Sequence, residues 1–113
     1  LLEAGVAGVV PGVPVTDTIR QVDARRRSTG LVDRDQLRAM QTPQLFVREV
    51  LEDVYLRARQ DGVEAVDEAA LVELAGHWVQ VLPGDPENLK VTTPLDLAIA
   101  ETLLARRTAR GGL

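Results

Sequence analysis

With 113 residues and a net charge of −4, the chain holds one domain at most, and its charge excludes broad electrostatic attraction to DNA, RNA or anionic lipid. Aromatic residues make up only 3%, too few for base-stacking surfaces, and the absence of cysteine removes disulfides, thiolate metal sites and cysteine nucleophiles. The 45% hydrophobic content allows a modest core, a globule of this size burying roughly 65% of its unfolded surface.

Leu1-Leu2-Glu3-Ala4 reads as the last turn of a helix closed by Gly5, without a signal peptide, so the chain is expected to start in mid-fold. Residues 6–10 (Val-Ala-Gly-Val-Val) predict a buried strand ended by Pro11-Gly12. Residues 13–22 mix β-branched and polar side chains and predict a more exposed strand. A charged turn over 23–30 follows, centred on Arg25-Arg26-Arg27, and then extended segments at 31–32 and 37–40. The stretch from about residue 14 to residue 40 is thus expected to form a protruding β-arm. With little core of its own, it needs a partner surface.

From residue 46 to residue 60 the period becomes helical, with Val47, Val50, Leu51, Val54, Tyr55 and Ala58 on one stripe and Asp61-Gly62 as the stop. A second helix is predicted over 68–75, with Asp67 as N-cap and Gly76 at its C-terminal end. Residues 78–82 predict a strand, Pro83-Gly84-Asp85-Pro86 a turn, and 89–91 a very short strand. The last helix starts with Thr93 as N-cap, Pro94 at N1 and Asp96 at N3, and presents Leu95, Ala98, Ile99, Thr102 and Leu103 on one face. Arg106 and Arg107 complement the dipole at its other end. The element order is α/β, with too few strands for a complete doubly wound sheet. No apolar run approaches the roughly 20 residues needed to cross a bilayer.

Self-contained catalysis is hard to find. The single histidine, His77, has no second histidine or cysteine with which to share a metal and is expected at the surface. Glycine-rich phosphate loops and a Gly-x-Ser-x-Gly elbow are missing. Glu49, Glu52, Asp53 and the three adjacent arginines suit solvated faces. Lys90, just before the last helix, can meet a phosphate or simply extend from a strand edge into solvent. Thr18, Arg34 and Thr42 carry hydroxyl and guanidinium donors suited to phosphate, though each alone is equally an ordinary strand or turn residue.

Five segments stand in order: Pro14-Val15-Thr16-Asp17-Thr18-Ile19, Val32-Asp33-Arg34, Gln41-Thr42-Pro43-Gln44, Asp67-Glu68-Ala69, and Leu89-Lys90-Val91-Thr92-Thr93-Pro94-Leu95-Asp96-Leu97. Through them nearly the whole chain resembles the C-terminal portion of the methylerythritol phosphate cytidylyltransferases of non-mevalonate isoprenoid synthesis. The resemblance implies a partial Rossmann-like nucleotidyltransferase domain over residues 1–113, with a β-arm at about 14–40 that interlocks two subunits of a cytoplasmic homodimer. It implies CMP transfer from CTP to 2-C-methyl-D-erythritol 4-phosphate, with release of pyrophosphate and with Mg²⁺ whose ligands lie outside this chain. Asp17, Thr18, Arg34, Thr42 and Lys90 would bind substrate, Thr18 and Arg34 by reaching the partner's site, and Lys90 would be catalytic through its charge. No nucleic-acid or membrane partner is implied.

Some positions depart from the family pattern. Val66 stands where a threonine is usual, and Arg20-Gln21 replaces a Lys-Arg pair. The family's glycine-rich CTP loop and its Asp-Ala-Ala-Arg segment are not among these residues, so the chain alone is expected to be inactive. Two other readings remain. One is a related cytidylyltransferase acting on a polyol phosphate such as ribitol 5-phosphate; the other is a non-catalytic dimerisation or binding module.

Overall fold

The computed structural model describes residues 5–64 and 67–111. The expected helix turn at residues 1–4 and the departure at Val66 lie outside them. The architecture is mixed α/β, as expected, and is organised around one long strand. Strand β1 (Val6–Pro14) is the centre of a four-stranded sheet. On one side it pairs in parallel with β6 (Trp78–Pro83). On the other it pairs antiparallel with two short strands, β5 (Leu45–Phe46) at Gly8 and Val9, and β4 (Arg38–Met40) from Gly12 to Pro14.

The predicted break at Pro11-Gly12 does not occur. β1 runs straight through both residues, while Val13 and Pro14 end it instead of opening a second strand. A proline lacks a ladder donor, and Pro11 sits opposite the gap between β4 and β5, where the chain at 41–44 leaves the sheet. Its carbonyl still accepts from the Gln41 N–H at 2.8 Å. Gly12 permits close packing: a Cβ there would lie 2.9 Å from Val81 Cγ1 and 3.2 Å from Arg38 Cβ.

Between Pro14 and Arg38 the chain leaves the main sheet and forms a separate two-stranded hairpin, β2 (Arg20–Val22) with β3 (Ser28–Leu31), followed by a 3-10 turn at Arg34–Gln36. Asp23 builds the hairpin tip, its Oδ1 accepting from the backbone N–H of Arg25 at 2.8 Å and of Arg27 at 3.0 Å. That lets Arg26 hold a φ of 63°. No residue of β2 or β3 is buried; Val22 and Leu31 are 61% and 67% exposed.

Helix α1 (Arg48–Asp61) begins two residues later than its apolar stripe suggests, because Phe46 is drawn into β5 and Val47 N–H donates to the Ala7 carbonyl at 2.8 Å. Gly62, with φ 66°, closes the helix in the left-handed region. Helix α2 (Glu68–Leu74) follows, and Asp67 caps it by accepting from the Ala70 N–H at 2.8 Å. Ala7 from β1, Val54 from α1, and Leu71 and Val72 from α2 make the buried core, with Phe46, Val50, Leu51, Ala58 and Val79 packed around it. Tyr55 ties the two helices together, its hydroxyl donating to Glu68 Oε1 at 2.7 Å. The bond holds the Tyr55 phenol above its usual pKa and the Glu68 carboxyl below its own.

Residues 89–91 form no strand; they run as irregular chain from the turn after β6 to helix α3 (Pro94–Ala109). That helix starts where predicted, with Thr93, Pro94 and Asp96 in the expected roles. Its apolar face is a different matter. None of its residues is buried, and Leu95 and Ile99 are 69% and 42% exposed. The radius of gyration, 17.9 Å, exceeds the ~13 Å of a compact domain this long, as a helix and a hairpin standing off the core require.

Candidate functional site

The five residues singled out for substrate form two groups. Asp17, Thr18 and Arg34 lie at the base of the hairpin, all exposed. Arg34 Nη1 donates to the Thr16 carbonyl at 2.6 Å, tying the outgoing strand to the returning one across the base of the hairpin. Asp33 caps the 3-10 turn by accepting from the Asp35 N–H at 3.1 Å, which fixes the backbone from which Arg34 projects. Thr18 and Arg34 share an open depression with Leu31, Val32 and Asp33.

Thr42 and Lys90 form the second group: Thr42 lies in the loop between β4 and β5 beside the middle of β1, and Lys90 in the chain after the C-terminal end of β6, the kind of place where open α/β sheets collect ligands. They are 48 residues apart in the chain yet belong to adjoining loops. Asn88 Nδ2 donates to the Thr42 carbonyl at 2.7 Å. Gln41 Nε2 donates to the carbonyls of Asp85 at 2.8 Å and Asn88 at 3.1 Å, while its Oε1 accepts from the Asp85 N–H at 3.1 Å. The Gly84 N–H donates to the Gly12 carbonyl at 2.9 Å, which anchors this turn to the end of β1.

On the other side of Lys90, Asp96 Oδ2 accepts from the backbone N–H of Thr92 and Thr93 and from the Thr92 hydroxyl, at 3.0–3.1 Å. These donors, the Thr92 N–H foremost, hold the Asp96 carboxyl below its ordinary pKa. Lys90 is exposed, on a short segment fixed at both ends. Arg34 and Lys90 thus offer two cations, and Thr18 and Thr42 two hydroxyls, on groups that no hydrogen bond between described residues connects. A cleft of about 540 Å³ opens beside both: Asp35 and Gln36 on its wall follow Arg34, and Gly12 and Pro83 adjoin the Gln41 loop.

His77, expected at the surface, is half-buried after α2, its N–H bonded to the Val72 carbonyl at 3.2 Å. Among the described residues no group of three or more His, Asp or Glu side chains is placed to hold a metal ion. Gln41 and Asn88 were missed as individual residues by sequence reasoning. Their bonds join positions 44–47 residues apart, and no local period marks such pairs.

The family model of 2-C-methyl-D-erythritol 4-phosphate cytidylyltransferase, IspD, matches residues 1–106. The chain belongs to this family. It is 50% identical over 108 residues to the 2-C-methyl-D-erythritol 4-phosphate cytidylyltransferase of Nocardia farcinica, covering 96% of this chain and 45% of that protein. The enzyme of the same name from Rubrobacter xylanophilus is 46% identical over 110 residues, 97% of this chain and 47% of that one. A crystal structure of the Thermus thermophilus cytidylyltransferase superposes with a TM-score of 0.76 at 35% identity, over 88% of this chain and 49% of that one. The α/β arrangement described above is thus the nucleotidyltransferase-like fold of the IspD family. The chain spans about half the length of the relatives it matches.

Proposed function

We propose that the protein carrying this chain transfers CMP from CTP to 2-C-methyl-D-erythritol 4-phosphate in isoprenoid biosynthesis, and that these residues supply its polyol-phosphate side. The observation that supports the reading is the hydrogen bond from Asn88 to the Thr42 carbonyl, which joins the loop bearing Thr42 to the segment after β6 that leads to Lys90. In the reaction, a phosphate oxygen of the polyol phosphate bonds to the α-phosphorus of CTP, and the bond from that phosphorus to the β-phosphate oxygen breaks to release pyrophosphate. Lys90 neutralises charge on the attacking phosphate and orients it, and the Thr42 hydroxyl donates to the same group. No side chain serves as nucleophile, because the substrate provides the oxygen. A divalent ion, implied by the family, would neutralise charge on the nucleotide phosphates, with its protein ligands expected outside this chain.

The reading extends to a cytoplasmic homodimer in which Thr18 and Arg34 at the hairpin base complete the partner's site, with Asp17 beside them as a further substrate-binding residue. The uncovered apolar residues of the hairpin, Val22 and Leu31, support a second copy against it. A mass in solution near twice that of the intact polypeptide is expected; a monomer would remove the hairpin from the site.

The test is turnover by the intact gene product. Pyrophosphate release with CTP and methylerythritol phosphate is expected, and release with ribitol 5-phosphate alone would replace the substrate. Removing one preorganised donor typically lowers kcat about 10²–10³-fold, and Lys90→Ala is expected to do so with the fold intact. Near-normal turnover would take Lys90 out of the site.

A further inference from the structure

We infer that Gln41 is a positioning residue for the polyol-phosphate side, setting the Thr42 hydroxyl and the Lys90 ammonium at a fixed separation; this inference rests on the function proposed above. Gln41 lies where β4 leaves the sheet, and its backbone N–H is bonded to the Pro11 carbonyl. Its side chain crosses to the turn after β6. Both amide hydrogens are used on carbonyls of that turn, and the amide oxygen takes the N–H of Asp85. A primary amide has two donors and an acceptor with two lone pairs, so three of its four bonding positions are filled by the backbone of Asp85 and Asn88.

Asn88 returns the connection by donating to the Thr42 carbonyl. The two amides therefore form a reciprocal clasp. Gln41 holds the backbone of residues 85 and 88, and Asn88 holds the backbone of residue 42.

The position of the clasp gives it a role beyond general stability. Thr42 directly follows Gln41, and Lys90 follows Asn88 by two residues. Consecutive Cα atoms are about 3.8 Å apart, so neither functional residue can drift far while the clasp is closed. No regular secondary structure spans residues 41–44 or 84–92. Backbone bonds from Gln41 to Pro11 and from Gly84 to Gly12 tie each loop to β1, and the side-chain amides add the bonds that run directly from one loop to the other. Misplacing a reacting group by about 1 Å can cost about 100-fold in rate, so small slippage here is sufficient to matter. Gly84 lies against the same amide, since a Cβ on it would overlap Gln41 Oε1. Gly84→Ala thus displaces the clasp without changing either amide.

The experiment compares intact wild-type protein with Gln41→Leu, Asn88→Ala and Gly84→Ala. It measures KM for each substrate, kcat, Tm, and hydrogen exchange at the Asp85 amide. The variants are expected to raise KM for methylerythritol phosphate or lower kcat by about 10–100-fold, as misplacement of a substrate-orienting group does. KM for CTP should stay within about twofold, since uniform binding of the nucleotide is untouched. Faster Asp85 exchange in Gln41→Leu should accompany that split.

Unchanged kinetics in a folded Gln41→Leu protein would overturn the inference. So would equal losses for both substrates that track the fall in Tm. If Gln41→Leu does not fold, the same split in Gly84→Ala upholds the inference, and its absence there overturns it. Failure of the functional reading looks different: wild type itself then turns over no polyol phosphate, and the positioning role falls with it.

Discussion

Helices α1 and α3 are similar in length, 14 and 16 residues, but the quality of their sequence signals runs opposite to their burial. α1 has Val47 as its N-cap, which makes no side-chain capping bond, yet the helix delivers Val54 to the core. α3 has a reciprocal Thr93–Asp96 capping box and a proline in its first turn, yet buries nothing among the described residues. Capping satisfies the free N–H groups of the first turn, so it marks where a helix starts. It says nothing about what the helix packs against. Burial of α1 depends on β1 and α2 lying beside it, whereas nothing described in this chain covers α3.

Two substitutions sharpen this contrast. Leu71→Ala, on α2 facing α1, should cost about 2–5 kcal/mol, the range for truncating a buried leucine. Urea denaturation would measure it, and a loss under about 1 kcal/mol would mean that the α1–α2 contact is not the core. Ile99→Ala, on the apolar face of α3, should change the stability of the 113-residue chain by less than about 0.5 kcal/mol, as surface replacements do. Repeating Ile99→Ala in the intact protein extends the comparison. A cost of core size there would show that residues outside this chain cover α3, while a small cost in both would make it a surface helix throughout.

Much of the fold was legible in the sequence because its signals are local. Asp67, Thr93, Pro94, Asp96, Gly62 and Gly76 are punctuation that acts within one turn, and each sits where it was expected. The errors came where a neighbouring strand overrode a local cue. Pro11-Gly12 has the composition of a turn, but β6 and β4 hold it extended, and the proline faces the single gap where a missing donor costs no ladder bond. Leu89-Lys90-Val91 has the composition of a strand, but among the described residues no strand pairs with it.

The candidate site was legible in part for the same reason. Thr18, Arg34, Thr42 and Lys90 stand out by residue type beside turns, whereas Gln41 and Asn88 gain their importance from bonds across more than forty residues.

By itself, then, the sequence determined the α/β class, the starts of α2 and α3, the stop of α1 and the family of the chain, because capping groups, periods and short motifs act through nearest neighbours. Only the tertiary structure decided that β1 runs unbroken through Pro11, that α3 is left uncovered by the described residues, and that the loops bearing Thr42 and Lys90 are joined by two side-chain amides. Those outcomes depend on which distant segment supplies a hydrogen-bond partner or an apolar surface, and no local pattern specifies that.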